Sequence, residues 1–577
     1  MRVLKHEVTL ERNVPSRMRD GVTLYADIYR PTSGGPFPVV LMRLPYDKTS
    51  AMTSADYAHP SWYARQGFIV VVQDTRGRWR AEGAWSPFFN EASDGYDTVQ
   101  WAAELSGSNG RVGMYGASYV GATQHLAAVE APPNLGCICP AVTSSSYYEG
   151  WTYEGGAFHL AFVENWSMLL AADTARRAGR PDLEQKLAGD TAHSMDWYGH
   201  LPLRTFPPHR DTNLAPYFFD WLKHPTYDDY WKAVSPEQRW SQIRVPALHI
   251  GGWYDIFLDG TLKNFAGIAT HSQGDAARRG QRLLIGPWWH TPWTPHIGEV
   301  NFGPRAASQI VDETQVRFYN WLLRDEDDGI STEPPVKIFV MGENVWRDEH
   351  AWPLERAVQT PYYFHSNGLA NSLTGDGTLS PEKPGEEPYD TYVYDPRAPS
   401  MSRGGHSCCF AELTPQGPYD QRPVEAWKDV LCFTSAPLAA MLEVTGPISV
   451  TLWAATSALD TDWVARLVDV ASDGRAINLT EGILRARYRD GLEVPKLLER
   501  DTVYEFHLNL RSTSNVFLPG HRVRIDVQSS SFPHWDRNPN TGQPFGESTI
   551  SDLETATQIV FHDAARPSHV RLPVIPR

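Results

Sequence analysis

Long apolar runs are missing from this 577-residue sequence. None approaches the roughly 20 residues that a membrane-spanning helix needs, so no membrane partner is expected. Blocks of positive charge are missing as well. Lysine and arginine number 52 against 68 aspartates and glutamates, a formal charge of −16. That balance argues against nucleic acid or an anionic membrane surface as partner. Cysteine is scarce: there are 5, an odd count that fits a reducing compartment. Cys137 and Cys139 form C-x-C, and Cys408 and Cys409 are adjacent. Neither pair has zinc-site spacing, and both are expected to be buried structural thiols. Glu11 to Lys48 carries no phosphate-loop pattern and H-E-x-x-H occurs nowhere, so neither metal nor cofactor is expected. Met1 to Glu11 alternates charged and apolar residues without a signal-peptide apolar core, and the expected address is cytoplasmic. Internal repeats and low-complexity tails are absent.

What the sequence does have is length and rhythm. It is too long for one core, and three or four domains are expected. Residues 22–30 and 37–44 read as hairpin strands, Phe68 to Val72 as a fully buried strand, and Asp94 to Leu105 as a helix. This strand–helix alternation continues to about residue 144 and predicts a mostly parallel sheet with helices on both faces. Between 145 and 240 strand patterns vanish. Trp, Tyr, His and Pro crowd helical segments such as Phe162 to Arg177 and Asp182 to Ala188, as in an inserted cap. Strand patterns return at 241–350. From about 351 short β segments follow, including Tyr362 to Phe364, Thr391 to Tyr394, Ile448 to Trp453, Val464 to Val470 and Val523 to Val527. They are broken by Gly, Pro and Asn, as in a jelly roll over 351–577. Glu382 to Glu387 reads as a surface loop.

The chemistry concentrates in Arg111 to Gly121, a short apolar strand, a glycine-bracketed serine and a helix beginning near Ala122. A serine at so sharp a strand-to-helix turn is pushed out of the sheet, toward the first amides of the helix. Such a site suits a nucleophile whose attack creates an oxyanion. The match to G-x-S-x-G is imperfect, since Val120 stands at the second glycine position and Gly121 follows it. Taken alone, Ser118 is equally a plain turn residue. Downstream, Val245 to Gly252 is a buried-strand pattern with Asp255 just past its end, and Arg282 to Gly286 is another, followed by His290. Serine, acid and histidine, each past the end of a strand and in that order, match an α/β-hydrolase triad.

The chain resembles the cocaine esterase and nonactin esterase family, related to X-Pro dipeptidyl peptidases, glutaryl-cephalosporin acylases and α-amino acid ester hydrolases. The resemblance covers nearly the whole chain. It is carried in order by Met18-Arg19-Asp20-Gly21-Val22, Leu44-Pro45-Tyr46-Asp47-Lys48 and Gln73-Asp74-Thr75-Arg76-Gly77, then by the serine turn, Gly252-Trp253-Tyr254-Asp255 and Gly286-Pro287-Trp288-Trp289-His290. Val340-Met341-Gly342 with Trp346-Arg347-Asp348, and Phe532-Pro533 with Asp536 to Asn540, complete it. In this family the turn is usually Gly-x-Ser-Tyr-x-Gly, so Val120 is no misfit.

The resemblance implies an α/β-hydrolase with an inserted helical cap and a C-terminal β jelly roll. It implies Ser118 as nucleophile, His290 as general base and then acid, and Asp255 as the group orienting the imidazole. The oxyanion hole would pair the Tyr119 backbone N–H with the Tyr46 hydroxyl. An aromatic acyl pocket would comprise Trp151 and Trp166 of the cap, Phe257 and Phe410. His159 and Glu164 depart from an all-apolar lining. Relatives that take α-amino acid esters hold the ammonium with carboxylates, for which Glu164 and Asp259 are candidates, though surface positions are the plainer expectation for both. The expected activity is carboxylic-ester hydrolysis through an acyl-enzyme on a small-molecule ester. Amide hydrolysis, as X-Pro dipeptide release or β-lactam side-chain acylase activity, stays open. A non-catalytic, carbohydrate-binding jelly-roll protein is the remote alternative. A homodimer is an option the sequence leaves open.

Overall fold

The run Ile69–Asp74 is fully buried along its length, because strands flank it in the sheet and helices cover both faces. It is one of ten strands in the first sheet: β1 (Val8–Arg17), β2 (Thr23–Pro31), β3 (Phe37–Leu44), β4 (Ile69–Asp74), β5 (Ser108–Ala117), β6 (Leu135–Ala141), β7 (Leu248–Gly252), β8 (Arg282–Gly286), β9 (Val336–Val340) and β10 (Val345–Glu349). Their spatial order is β1-β2-β4-β3-β5-β6-β7-β8-β9-β10. From β4 across to β9 the neighbours run parallel, while β1, β2 and β10 are antiparallel edges. The computed structural model describes residues 6–410 and 412–576. The first five residues of the Met1 to Glu11 reading lie outside them.

Two local expectations need correction. Residues 22–30 and 37–44 do not form a hairpin, since β4 lies between β2 and β3. Strand patterning gives the faces of β2 and β3 but not their partners, and β3, buried almost throughout, takes the central place. The helix expected at Asp94 begins at Glu91. Glu91 is buried and paired with Arg43, 3.0 Å away, a long-range contact that extends the helix by a turn.

Between β6 and β7 lies a largely helical segment, with helices at Leu160–Arg177, Pro181–Ala192 and Pro216–Lys223 and one small ribbon pairing Tyr153–Glu154 with Ala157–Phe158. Its aromatic core includes Trp151, Phe162, Trp166, Phe218, Trp221 and Trp231. Among the described residues, no helix is long and apolar enough to cross a membrane.

After β10 the chain forms an 11-stranded β domain. Its longest strand, Leu442–Thr456, pairs with Tyr504–Phe517, Ala556–Phe561 and His569–Ile575. A register shift between Pro447 and Ser449 interrupts its pairing with Tyr504–Phe517. The β domain clasps the rest through the Asp536 to Asn538 motif. Asp536 Oδ1 accepts from Phe158 N at 2.7 Å and from Arg485 Nη2 at 2.9 Å.

Candidate active site

The strand order reverses between β3 and β5: the chain passes from β3 outward to β4, then returns to the other side of β3. Loops at the C-terminal ends of strands flanking such a reversal diverge and leave a crevice. Tyr46 follows the end of β3 and Ser118 the end of β5. Ser118 has φ 64° and ψ −126° and immediately precedes the helix Tyr119–Val129. The neighbouring glycines allow this turn. A Cβ on Gly116 would lie 2.2 Å from Val120 Cγ1, and one on Gly121 would lie 2.8 Å from the Thr143 side chain.

Asp255 and His290 leave the ends of β7 and β8, which pair in parallel. His290 Nδ1 and Asp255 Oδ1 are 2.7 Å apart, and both residues are buried. Among the described residues, Asp255 Oδ2 has no hydrogen-bond partner. A carboxylate on Nδ1 fixes the tautomer that leaves Nε2 able to accept a proton.

Tyr46 is the third element. Its hydroxyl accepts from Trp166 Nε1 at 2.9 Å, which leaves its own proton free to donate. Burial pushes the phenol up to about 12, a rise moderated by the Trp166 hydrogen bond, the Arg78 charge and a side-chain hydrogen bond with Ser118. It therefore remains protonated, and a donor, throughout the neutral range. Ser118, His290 and Tyr46 open onto one cavity of about 340 Å³, together with Trp166, Leu170 and Phe410.

Trp151 and Phe257 stand one layer behind this wall. Their rings stack 4.4 Å apart at 7°, and Phe257 meets the His290 ring edge-on at 5.1 Å. Tyr119 is fully buried, its hydroxyl 3.0 Å from Glu91 Oε1. His159, Glu164 and Asp259 do not line the cavity. Asp259 accepts from Asn509 of the β domain at 2.6 Å. The surface placement expected of Glu164 is wrong. It is fully buried, neither oxygen has a hydrogen-bond partner among the described residues, and burial raises its carboxyl well above the usual range. Helix Leu160–Arg177 is covered on nearly all sides, which its mixed sequence does not announce.

Residues 20–292 match the X-Pro dipeptidyl-peptidase S15 family, and residues 328–571 match the C-terminal non-catalytic domain of X-Pro dipeptidyl-peptidase. The chain is 39% identical over 576 residues to the cocaine esterase of Rhodococcus sp. (strain MB1 Bresler), covering 98% of each. The chain belongs to the cocaine esterase family. Among solved structures, an aminopeptidase from a marine-sediment Thaumarchaeota archaeon superimposes with a TM-score of 0.83 at 26% identity, covering 99% of this chain and 97% of that one. A selenomethionine-labelled α-amino acid ester hydrolase gives 0.82 at 26%, with the same coverage. The α/β-hydrolase with a β-rich C-terminal domain is thus the fold of this family member.

In this cocaine esterase family chain, several cavity residues were not singled out from sequence. Arg78 pairs with Asp173 at 3.0 Å and lies over the Trp85 ring. Asp56 accepts from Trp293 N at 3.0 Å, and burial pushes its carboxyl up to about 7, against the lowering effects of that bond and of His290. Only the Arg-Gly-Arg run after Asp74 hinted at Arg78, and nothing hinted at Asp56. The expectation of buried thiols holds for Cys137 and Cys139 but fails at Cys408 and Cys409. Those two are joined as a disulfide, and Cys409 is exposed on the cavity wall. The segment Gly404 to Phe410 is anchored where His406 Nε2 meets the Trp253 carbonyl at 2.9 Å. That anchor brings the two sulfurs to the site.

Proposed function

We propose that this protein is a serine hydrolase of carboxylic esters. One observation carries the reading: Ser118, Tyr46 and His290 share one cavity, with His290 held by Asp255. Ser118 Oγ attacks the ester carbonyl while His290 Nε2 takes its proton. The carbonyl oxygen becomes an oxyanion, stabilised by the Tyr46 hydroxyl and the Tyr119 backbone N–H. The C–O bond to the alcohol breaks, the alkoxide leaves with the proton from His290, and the acyl group stays on Ser118. Water then repeats the cycle and releases the acid. The volume and its apolar residues, Met42, Leu169, Leu170, Trp166 and Phe410, suit an acyl group of about one ring. Trp151 and Phe257 stiffen that wall from behind. The same reading divides the chain into a hydrolase core at 1–144 and 241–350, a cap at 145–240 and a jelly roll at 351–577. In support, β6 ends at Ala141, β7 begins at Leu248 and β10 ends at Glu349.

The test is kcat/KM for p-nitrophenyl acetate, butyrate, octanoate and benzoate, with Ser118→Ala beside the parent. Turnover lost in the variant supports the reading; turnover that survives sinks it. The solved aminopeptidase among the similar structures favours amide hydrolysis as the second reading. Ester and amide substrates sharing one acyl group separate the two.

A further inference from the structure

His290 is not surrounded only by groups its proposed reaction uses. One of its ring nitrogens and the sulfurs of Cys408 and Cys409 all lie within 4.8 Å of one another. Asp255 occupies Nδ1, so Nε2 is the nitrogen available to a ligand. A carboxylate on the far nitrogen is also the arrangement that orients a metal-binding histidine. Two thiolates and one imidazole, with a fourth position open to water, form a donor set that suits zinc and similar soft cations. The two sulfurs are bonded to each other in the disulfide, so ligation needs them to separate on reduction until each stands about 2.3 Å from the metal, with the imidazole nitrogen at about 2.0 Å. Cys409 and His290 line the cavity, which supplies the entry path.

We propose that Cys408 and Cys409, when reduced, form with His290 a binding site for a thiophilic divalent cation. Occupancy of this site and ester hydrolysis are mutually exclusive. The metal takes the Nε2 lone pair that would otherwise accept the Ser118 proton, and it stands where the acyl group must lie. The oxidised pair has no thiolate to offer, so the thiol–disulfide state decides whether the metal binds. A small dithiol such as dithiothreitol supplies the reduction. Two-electron exchange converts it to its cyclic disulfide and leaves two thiols on the protein. Metal binding then releases two protons, one from each thiol. Exclusion of hydrolysis rests on His290 acting as base, whereas binding itself does not.

The experiment uses the full chain, reduced with dithiothreitol and desalted without oxygen, beside the untreated chain. Zn²⁺ is titrated against a metallochromic chelator, Cd²⁺ reports thiolate ligation by its ultraviolet charge-transfer absorption, and p-nitrophenyl ester turnover is read in parallel. Cys408→Ser and Cys409→Ser are each compared with and without metal. The expected result is one Zn²⁺ per reduced chain, at least 100-fold tighter than in the untreated chain or either variant. Turnover should fall with the same midpoint and return on adding EDTA. Equal affinity in reduced and untreated protein overturns the proposal without relying on any variant. Tight binding that leaves turnover intact overturns the assignment of His290 as a ligand. If no condition gives ester turnover, the esterase reading fails, and the binding and cadmium measurements still decide the site.

Discussion

Lys48 Nζ lies 2.8 Å from Asp74 Oδ2, with both side chains out of solvent, at the point where the loop carrying Tyr46 leaves β3. The Lys48 backbone N–H also bonds Asp74 Oδ1 at 2.8 Å, so the Asp at the end of β4 grips the loop twice. Burial raises the Asp74 carboxyl even against the Lys48 charge. Lys48→Met would leave that carboxylate buried and unpaired, at a cost of about 3–5 kcal/mol. Urea unfolding should show the loss, and Lys48→Met with Asp74→Asn should recover part of it. An unchanged midpoint in Lys48→Met would show that the pair does not hold the loop.

Tyr46→Phe removes a single hydroxyl from the site. In the proposed reaction that proton is needed most when charge develops on the carbonyl oxygen. Loss of one such donor costs about 3–4 kcal/mol, or roughly 10²–10³ in kcat. Steady-state kinetics should place the loss in kcat, with KM little changed. The same variant leaves Trp166 Nε1 without its acceptor, so a small fall in thermal stability is expected too. A loss confined to KM would assign Tyr46 to substrate binding alone.

Asp255→Asn tests orientation of the imidazole. An asparagine here can turn its amide N–H toward His290 Nδ1, which forces the proton onto Nε2 and removes the base. The expected fall in kcat is roughly 10⁴-fold with the fold intact. Asp255 Oδ2 has no partner to lose among the described residues, so the circular dichroism spectrum should match the parent. Near-parental turnover would show that His290 does not depend on Asp255.

The serine turn was legible because its backbone demands a pattern: Gly116, Ser118 and Gly121 are set by contacts within a few residues and by β6 beside them. Asp255 and His290 were legible because each follows a short, mostly apolar strand that is buried along its length. The strand neighbours were not, since β4 inserts between β2 and β3 by tertiary pairing alone. Contacts between distant loops left no local signal. Cys409 reaches the cavity only because His406 anchors its segment to the Trp253 carbonyl, and a Cys-Cys dipeptide has no periodicity that says so. Glu164 illustrates the opposite error: a charge in sequence suggests surface, yet its helix packs against Tyr217 and Trp221, whose rings meet Trp166 of the same helix. The aromatic wall was half legible, because the sequence names the rings but not which layer each occupies.

Asp56 gives the site a pH dependence of its own. Its folded value of about 7 stands above the ordinary 3.8, chiefly through burial. The protonated form therefore contributes stability that is complete below about 3.8 and lost as pH rises through about 7. Over that window an uncharged carboxyl becomes a carboxylate on the cavity wall. Arg78 and Asp173, also on the wall, pair with each other, and the Tyr46 phenol stays neutral, so none of them cancels the new charge. Protonation of His290 slows all esters alike, so a ratio between two substrates isolates Asp56. The kcat/KM of an ammonium-bearing ester, relative to its neutral isostere, should rise about tenfold between pH 5.5 and 8.5, about 1.4 kcal/mol. The rise should vanish in Asp56→Asn, whose stability should also lose the fall between about pH 4 and 7. A ratio that stays flat in the parent would place the Asp56 charge out of reach of the substrate.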